Sequence, residues 1–354
     1  MKFNQKIKIN NTLISNFNGP YIIAEIGSNH DQSLNKAIKL AVIAKRNRCN
    51  AIKVQIIYPE GIAVNKNSKY GKIKNKFKKY SDNLYDLYSK CSLKFNEFKK
   101  LRSYCKKIKV DFIASVFCEK SLNDAIKLDV DAIKIASLEI YDHNLIEKIS
   151  KKKKPIILST GTADYSDIAK AINIFKKNKS KNLSVLHCVS SYPARYKEMN
   201  INFLKTLQSK FKIPIGFSDH TLSYFSAIIA TSLGAAIIEK HITLSRKLFG
   251  PDHFFSLNPN QLELFTRKIF EAKEILGEPK KIISKNEKAI SLKVRRSIFS
   301  SKSIKAGEKL SLHNLKIVRP GNGLKPEFLN KILNKRIRRD ISSDYPISLK
   351  LIKK

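Results

Sequence analysis

The chain has 354 residues, an apolar fraction of 42%, and 69 Lys and Arg against 29 Asp and Glu, which gives a net charge of +40. This length suits one large core with a smaller second domain. An integral membrane protein is excluded, because no apolar run approaches the length of a membrane span.

The N-terminal segment and the cysteines indicate a cytoplasmic protein. Residues 1–20 lack the apolar centre and small-residue cleavage site of a secretory signal. The cysteine count is five, an odd number, and no C-x-x-C pair occurs. Neither a zinc knuckle nor a disulfide framework is therefore expected, and the thiols are predicted to be reduced.

The basic surface could bind nucleic acid, an acidic membrane face or anionic substrates. The lysines are spread over nearly every predicted helix and loop, and the densest clusters are 72–79 and 151–154. Each cluster is typical of a solvated face or loop. We therefore expect no nucleic-acid partner and no membrane partner.

From Tyr21 onward, short β-rich runs alternate with longer amphipathic runs. The predicted strands are 21–27, 51–55, 111–117, 132–137, 155–161, 183–189, 213–220 and 235–242. The predicted helices include 34–46, 93–108, 121–128, 165–177, 222–233 and 259–276. The strand runs are short and almost continuously apolar, as in parallel strands that are covered on both faces.

Eight repeated βα units favour a closed (β/α)₈ TIM barrel over an open doubly wound sheet. A dinucleotide-binding sheet would also need a glycine-rich turn after its first strand, whereas this turn reads Gly-Ser-Asn-His. The long interruption at 56–90 is polar and rich in lysine and tyrosine. Long βα loops on a barrel tend to lie over the active-site mouth, and a surface excursion is the alternative.

Three regions follow from this pattern: a catalytic barrel over 1–276, a linker over 277–294 and a small β-rich domain over 295–354. The linker is charged and lacks clear periodicity. The last region contains short strands between Lys-Ala-Gly-Glu and Pro-Gly-Asn-Gly turns. It is small for independent stability, so we expect it to pack on the barrel or on a second subunit.

Polar side chains at the carboxyl ends of barrel strands converge on one site. In chain order these are Glu25, Asn29, His30, Lys53, Gln55, Ser115, Lys134, Ser137, Glu139, Ser159, Thr160, His187, Ser190, Tyr192, Ser218, Asp219, His220, Glu239, Lys240 and His241. So many polar residues at strand ends are difficult to explain by a structural role alone, because a buried lysine lowers stability unless an opposite charge pairs with it.

The chemistry of these residues indicates an enzyme that binds a small anion and a metal. Lys53 and Lys134, together with serine hydroxyls, form a plausible cradle for a phosphate and a carboxylate. His220 and His241 come from adjacent strands and suit Mn²⁺, Fe²⁺ or Zn²⁺, with Mg²⁺ less favoured. Glu25 could act as an acid or base.

The chain resembles the sialic acid synthase family along almost its whole length from Tyr21. The motifs that carry the resemblance are Y-I-I-A-E-I-G-S-N-H, A-I-K-V-Q, A-I-K-I-A-S-x-E, P-I-I-L-S-T-G, L-H-C-V-S-S-Y-P, G-F-S-D-H-T, E-K-H-I-T and G-P-D-H, in the family's order. The C-terminal K-A-G-E and V-R-P-G-N-G segments resemble that family's antifreeze-like SAF domain.

The resemblance implies a transferase of sialic acid biosynthesis that condenses phosphoenolpyruvate with an acetamido sugar, N-acetylmannosamine first, and releases phosphate. His220 and His241 would hold Mn²⁺ or Mg²⁺ and, with Glu25, form the catalytic set. The phosphoenolpyruvate-binding set would be Lys53, Ser115, Lys134, Ser137, Ser159, Ser190 and Ser218. The sugar-binding set would be Gln55, Glu139, Tyr192, Asp252 and Arg319.

The match to Arg319 also implies a domain-swapped homodimer, in which this arginine enters the partner's barrel and contacts the acyl group. Two departures from the family pattern stand out. The usual Ser-Thr-Pro-Phe-Asp after the third strand is Ala-Ser-Val-Phe-Cys at 114–118, and Ser190 stands where some members have Asn.

Three alternatives remain open. The acceptor could be a 2,4-diacetamido-trideoxyhexose, which would lead to legionaminic or pseudaminic acid. Another phosphoenolpyruvate-dependent synthase acting on phosphosugars is disfavoured by the SAF-like tail. An inactive barrel that binds polyanions would fit the charge, but it gives no reason to retain Glu25, Lys53, Lys134, His220 and His241 together.

Overall fold

The computed structural model describes residues 3–353, apart from the side chain of Leu292. The chain forms two compact units, of which the first ends at Gly277 and the second begins at Glu278. Within the described range, no helix combines the length and apolar character needed to cross a membrane.

The first unit is a closed eight-stranded parallel barrel preceded by a hairpin. The hairpin strands are β1 (Lys6–Ile9) and β2 (Thr12–Ser15), which pair antiparallel. The barrel strands are β3 (Tyr21–Glu25), β4 (Ala51–Ile56), β5 (Asp111–Val116), β6 (Ala132–Ile135), β7 (Ile156–Ser159), β8 (Leu183–Cys188), β9 (Ile215–Asp219) and β10 (Ile237–His241). They pair in chain order, and β10 closes on β3. The TIM-barrel prediction is confirmed, with all eight strands near their predicted positions.

Helices surround the barrel and, with one exception, cover its outer face. They are α1 (Leu34–Arg46), α2 (Leu84–Ser89), α3 (Phe95–Ile108), α4 (Glu119–Lys127), α5 (His143–Ser150), α6 (Tyr165–Lys177), α7 (Phe203–Phe211), α8 (Phe225–Ser232) and α9 (Pro259–Leu276). The exception is α2, which lies in the loop after β4 and lines the cavity. The predicted bounds of α1, α6 and α9 are confirmed. At α9, Asn258 caps the first turn, Pro259 fits the first helical position, and Gln261 completes a capping box. Helices α2, α5 and α7 add to those predicted.

The barrel interior has an apolar layer and a polar layer built on the same strands. Side chains alternate between the two faces of a strand, so residues two apart point the same way. On β3, Ile23 and Glu25 both point into the barrel, and on β5, Ile113 and Ser115 do the same. The apolar layer lies toward the amino ends of the strands and the polar layer toward their carboxyl ends. This alternation positions the functional side chains at one end of the barrel.

The N-terminal hairpin covers the apolar end of the barrel. Ile7, Ile9 and Ile14 are buried in one cluster with Ile23 and other inward residues of the amino-terminal layer. The sequence alone does not predict this hairpin, because each strand has only four residues and polar residues interrupt the apolar ones. The hairpin closes the end of the barrel opposite the polar residues.

We predict that truncating Ile9 to alanine lowers the free energy of unfolding by about 2–5 kcal/mol, because a completely buried side chain is removed from a packed cluster. Chemical denaturation of both proteins measures the difference. Leu13, on the same hairpin and 48% exposed, provides the matched control, and its alanine variant should change stability by less than about 0.5 kcal/mol. Equal effects at the two positions would contradict the packing described here.

The second unit contains α10 (Lys285–Val294), β11 (Ser297–Ser300), β12 (Leu315–Val318) and α11 (Leu329–Ile332). Strands β11 and β12 pair antiparallel, and Ile298, Ile304, Ile337 and Ile347 form its own apolar core. Helix α10 lies within the stretch expected to be a linker without periodicity. Ser284 and Glu287 form a capping box that starts it, which is a local signal rather than a hydrophobic pattern.

Candidate active site

A cavity of about 600 Å³ opens at the carboxyl end of the barrel strands. The predicted site residues that line it are Lys53, Gln55, Ser115, Lys134, Ser137, Glu139, Ser159, Ser190, Tyr192, Ser218, His220, His241 and Asp252. Glu25 lies beneath them, fully buried. Arg319 is exposed in the second unit, directly after β12. The structure therefore brings together the predicted site residues of the first unit.

A buried group of charges forms one side of the cavity floor. The Lys53 Nζ atom lies 2.7 Å from Glu25 Oε2 and 3.6 Å from Glu239 Oε1, and it donates to Ser115 Oγ at 3.1 Å. Gln55 donates to the other Glu25 oxygen at 2.8 Å. These contacts fix Lys53 between two carboxylates, which supply the counter-charge that a buried ammonium needs.

The two carboxylates respond differently to this environment. Burial raises the pKa of Glu25, and the neighbouring Glu239 raises it further, against the opposing effect of Lys53. Burial also acts to raise the pKa of Glu239, but the ammonium groups of Lys53 and Lys134 outweigh it and lower that pKa to about 2. One carboxylate is thus held ionised while the other takes up a proton more readily.

A second group of donors lines the cavity around Lys134, which is only 2% exposed. Its ammonium donates to Ser159 Oγ at 2.5 Å and to the Ile135 carbonyl at 3.1 Å, and among residues 3–353 it has no ion-pair partner. Burial lowers its pKa. A buried ammonium without a carboxylate partner is suited to an anionic ligand.

Ser137 and Gly161 extend this group of donors. The Gly161 N–H donates to Ser137 Oγ at 3.1 Å, and Ser137 Oγ lies 3.0 Å from Cys188 Sγ. A Cβ atom at Gly161 would come within 2.2 Å of Ser190 Oγ, so only glycine fits between the hydroxyls. Glycine in the loop after β7 therefore lets the backbone lie close to the hydroxyl groups that line this part of the cavity.

His220 and His241 lie side by side on the cavity wall, at the ends of the paired strands β9 and β10, with ring centroids 5.7 Å apart. The Val189 carbonyl lies 2.7 Å from His220 Nδ1, which places the proton on that nitrogen and leaves Nε2 as an acceptor. Burial lowers the pKa of His220 to about 3, with a further contribution from His241, and burial lowers the pKa of His241 to about 4. Both imidazoles are therefore neutral near pH 7.

This pair fits a metal ion with open coordination positions. Neutral imidazole is the form that binds metals, and the buried His241 Nδ1 and Glu239 Oε2 atoms have no hydrogen-bond partner in the described structure. Within residues 3–353, no group of three or more His, Cys, Asp or Glu side chains is arranged to hold a metal. An ion here would take two protein ligands, with water or substrate completing its coordination.

Several strand-end residues noted in the sequence have other positions. Asp219 and Lys240 form an ion pair at 2.9 Å, and Lys240 lies near the Phe265 ring of α9, so both point away from the barrel interior. His187 also points outward, against Phe203 of α7. Asp219 is adjacent to Ser218, Lys240 to His241 and His187 to Cys188. The second residue of each pair lines the cavity, and adjacent side chains of a strand face opposite ways.

Three further residues line the cavity without a role predicted from the sequence: Glu239, Cys188 and Ser28. Glu239 is two residues before His241 and shares its inward face, which is the signal that identifies it. Ser28 donates to Asp252 Oδ2 from its backbone and hydroxyl groups, at 3.0 and 2.9 Å. These contacts connect the loops after β3 and β10.

The loop at 114–118 keeps a defined geometry despite its departure from the family pattern. Ser115 contacts Lys53 as described, and Phe117 lines the cavity. The Ser121 hydroxyl accepts hydrogen bonds from the Phe117 and Cys118 backbone groups, at 2.9 and 3.0 Å. Ser121 thus caps α4.

Burial raises the pKa of the Glu139 carboxyl from 4.5 to about 7. Because its folded-state pKa is the higher one, its stabilising proton is fully present below the unfolded pKa and is lost as the pH rises toward 7. We expect the Glu139→Gln variant to lack this loss, so its free energy of unfolding relative to the wild type should rise by about 2–3 kcal/mol between about pH 5 and pH 8.

Urea denaturation at the two pH values measures this difference. Glu147→Gln, which alters an exposed glutamate on α5, is the matched control and should leave the pH dependence unchanged. A Glu139 variant with the wild-type pH dependence would contradict the raised pKa.

The NeuB family model matches residues 40–281, and the SAF domain model matches residues 295–353. The chain is 35% identical over 325 residues to the N,N'-diacetyllegionaminic acid synthase of Campylobacter jejuni, with 90% of this chain and 97% of the relative covered. It is 34% identical over 336 residues to a pseudaminic acid synthase of C. jejuni, with 93% and 96% covered.

A similar solved structure is that of N-acetylneuraminic acid (sialic acid) synthetase from Leptospira borgpetersenii, in complex with citrate. The TM-score is 0.71 and the identity 34%, and the match covers 82% of this chain and 96% of that one. The sequence comparison and the structure comparison thus both find synthases of sialic acid and of the related legionaminic and pseudaminic acids.

Proposed function

The chain belongs to the NeuB family, and we propose that it joins phosphoenolpyruvate to an N-acetylated amino sugar with release of phosphate. The observation that carries the proposal is Lys134, whose buried ammonium lacks an ion-pair partner among the described residues and donates to the Ser159 hydroxyl on the cavity wall. A ligand with a phosphate and a carboxylate supplies the missing negative charge. The similarity to a pseudaminic acid synthase and an N,N'-diacetyllegionaminic acid synthase supports a synthase reaction for this chain.

The serine hydroxyls fall into two groups, one near each lysine, which can bind the two anionic ends of phosphoenolpyruvate. Ser137, Ser159 and the Gly161 loop lie on the Lys134 side. Ser115 and Ser218 lie on the side of Lys53 and Glu239, where Ser218 donates to Glu239 Oε1 at 3.0 Å. Ser190 lines the same cavity. In the proposed complex these groups hold the phosphate and carboxylate of phosphoenolpyruvate and keep its C3 atom directed toward the acceptor.

The reaction we propose uses water as a third reactant: it forms one carbon–carbon bond and one carbon–oxygen bond, and it breaks the carbon–oxygen bond between C2 and the phosphate. C3 of phosphoenolpyruvate attacks the aldehyde carbon of the open-chain sugar, whose oxygen takes up a proton. Water adds to C2, and phosphate leaves with its bridging oxygen, which yields an α-keto sugar acid. Glu25 and Glu239, with pKa values displaced in opposite directions, are suited to moving the protons of that water.

His220 and His241 would hold the divalent metal, Mn²⁺ or Mg²⁺, that the resemblance implies. A metal at this position supplies Lewis acidity at the aldehyde oxygen. Tyr192, whose ring centroid lies 4.2 Å from that of His220, packs against this histidine and limits its orientations. Gln55, Glu139 and Asp252 lie on the cavity wall, where they can hydrogen bond to the sugar.

The acceptor could be N-acetylmannosamine, and the cavity wall favours a second candidate. The loops after β4 and β5, together with α2, give this wall an apolar portion beside the exposed Lys72 and Lys74. The apolar residues are Ile57, Ile62, Ile73, Phe77, Leu84, Leu87 and Phe117. Such a surface suits the methyl groups of a 2,4-diacetamido-trideoxyhexose better than a hydroxyl-rich hexose. The legionaminic and pseudaminic acid synthases among the relatives support the same class of acceptor.

We also propose, from the resemblance, that Arg319 acts in the barrel of a partner subunit and contacts the acyl group of the acceptor there. Its exposure at the end of β12 is compatible with this role. Guanidinium groups are well suited to hydrogen bonding with carbonyl oxygens.

Phosphate release tests the proposed function. The full chain is incubated with Mn²⁺, phosphoenolpyruvate and, separately, N-acetylmannosamine and a 2,4-diacetamido-trideoxyhexose. We expect phosphate release that depends on one of the sugars. Absence of release with every sugar, together with salt-sensitive nucleic-acid binding, would instead support the barrel that binds polyanions.

A further inference from the structure

The loop after β4 contains a concentration of positive charge that the proposed reaction does not explain. Residues 61–81, here called the lysine loop, contain seven lysines and no acidic residue. All seven are exposed, and none forms an ion pair with another residue of the described chain. The lysines are Lys66, Lys69, Lys72, Lys74, Lys76, Lys78 and Lys79.

The lysine loop lies at the mouth of the cavity. Lys72 and Lys74 line its outer part. The Lys76 ammonium donates to the Tyr192 carbonyl and lies 5.2 Å from the centre of the Phe254 ring. These contacts hold the loop beside the entrance through which a ligand reaches the floor. Of the two alternatives for this long loop, this position favours a loop at the mouth of the barrel over a surface excursion.

The cavity floor carries little unpaired charge. Lys53 contacts Glu25 and Glu239, and only Lys134, which is buried, lacks an ion-pair partner among the described residues. Asp252 and Glu139 add further carboxyl groups to the wall. Paired charges largely cancel at long range, so the seven exposed lysines of the loop carry more unpaired positive charge beside the mouth than the floor does.

We propose that the lysine loop is an electrostatic funnel, which raises the affinity and association rate of phosphoenolpyruvate through long-range attraction. The inference rests on the proposed function, because phosphoenolpyruvate is the anionic substrate in that reaction. A cluster of one charge sign beside a cleft raises association rates of oppositely charged ligands by about 10- to 1,000-fold. The effect weakens as salt shortens the Debye length, and an uncharged acceptor sugar does not experience it.

The test removes charge without altering the cavity lining. In the triple variant Lys66→Gln, Lys69→Gln and Lys78→Gln, none of the altered residues lines the cavity. Calorimetric titration of the full-length proteins with phosphoenolpyruvate gives Kd for each. We expect Kd to rise about fivefold at about 0.02 M salt and the difference to disappear near 0.5 M, where screening is nearly complete.

Two further variants separate charge from other causes. Lys176→Gln, Lys177→Gln and Lys179→Gln together remove three exposed charges at the end of α6, which lies at the opposite end of the barrel, and should leave Kd unchanged. The charge-preserving triple variant Lys66→Arg, Lys69→Arg and Lys78→Arg should keep the wild-type Kd. A loop variant with the wild-type Kd at low salt, or a control variant with the same loss, would overturn the funnel while leaving the proposed reaction in place. If phosphoenolpyruvate does not bind the unaltered chain, both proposals fail.

Discussion

Replacing Lys53 by methionine is expected to lower the free energy of unfolding by about 3–5 kcal/mol and to abolish phosphate release. Methionine is similar in length but leaves the carboxyl groups of Glu25 and Glu239 buried without their shared cation. Removing one partner of a buried charge group costs far more than the group contributes as a whole, because the remaining charge is desolvated. Urea denaturation and the phosphate assay measure the two effects.

Two companion variants test this explanation. Adding Glu25→Gln to Lys53→Met removes one uncompensated charge and should restore part of the lost stability. Lys240→Met breaks the outward-facing pair with Asp219, so it should also destabilise the protein while leaving phosphoenolpyruvate binding by the folded fraction intact. A loss below about 1 kcal/mol in Lys53→Met would show that the buried carboxyl groups do not need this cation.

Replacing His220 by asparagine is expected to reduce phosphate release more than about 100-fold while the protein remains folded. Mutations of residues that only support a metal ligand already cost about 10- to 100-fold, so loss of a ligand should cost more. Asparagine keeps a hydrogen-bonding group near the Val189 carbonyl but removes the imidazole nitrogen that faces the cavity. The phosphate assay across a Mn²⁺ titration, with circular dichroism as the check on folding, measures the effect.

His143 provides the matched control, because it is an exposed histidine at the start of α5 that does not line the cavity. Its asparagine variant should retain wild-type activity and metal dependence. Full metal-dependent activity in His220→Asn would remove this histidine from the proposed metal site.

Most of the barrel was predictable because its signals are local. The eight strands are short apolar runs followed by polar residues, and α1, α6 and α9 show helical periodicity together with capping residues. The carboxyl ends of parallel strands meet at one end of a barrel, so strand-end residues such as Lys134 and His241 could be assigned to a common site before their distances were known.

What could not be predicted depends on contacts between distant parts of the chain. Glu239 lies 3.6 Å from Lys53 because the barrel closes between β10 and β3. No local sequence pattern predicts this contact. The hairpin of β1 and β2 is stabilised by the end of the barrel, so its short strands look like ordinary polar chain in isolation. Helix α10 begins at a capping box and lacks a periodic apolar face, which led to its description as a linker.

Closure of the barrel also constrains the order in which this protein can fold during synthesis. Tyr21 pairs in register with Ile237, near opposite ends of the first unit. The hairpin of β1 and β2 is synthesised before the barrel, yet the cluster that buries its isoleucines includes Ala236 and Ile237. On the ribosome these isoleucines must remain without their complete binding surface until more than 220 residues have followed the hairpin. Such long-range pairing slows folding and prolongs exposure of apolar side chains, so aggregation of the nascent chain competes with folding until β10 is made.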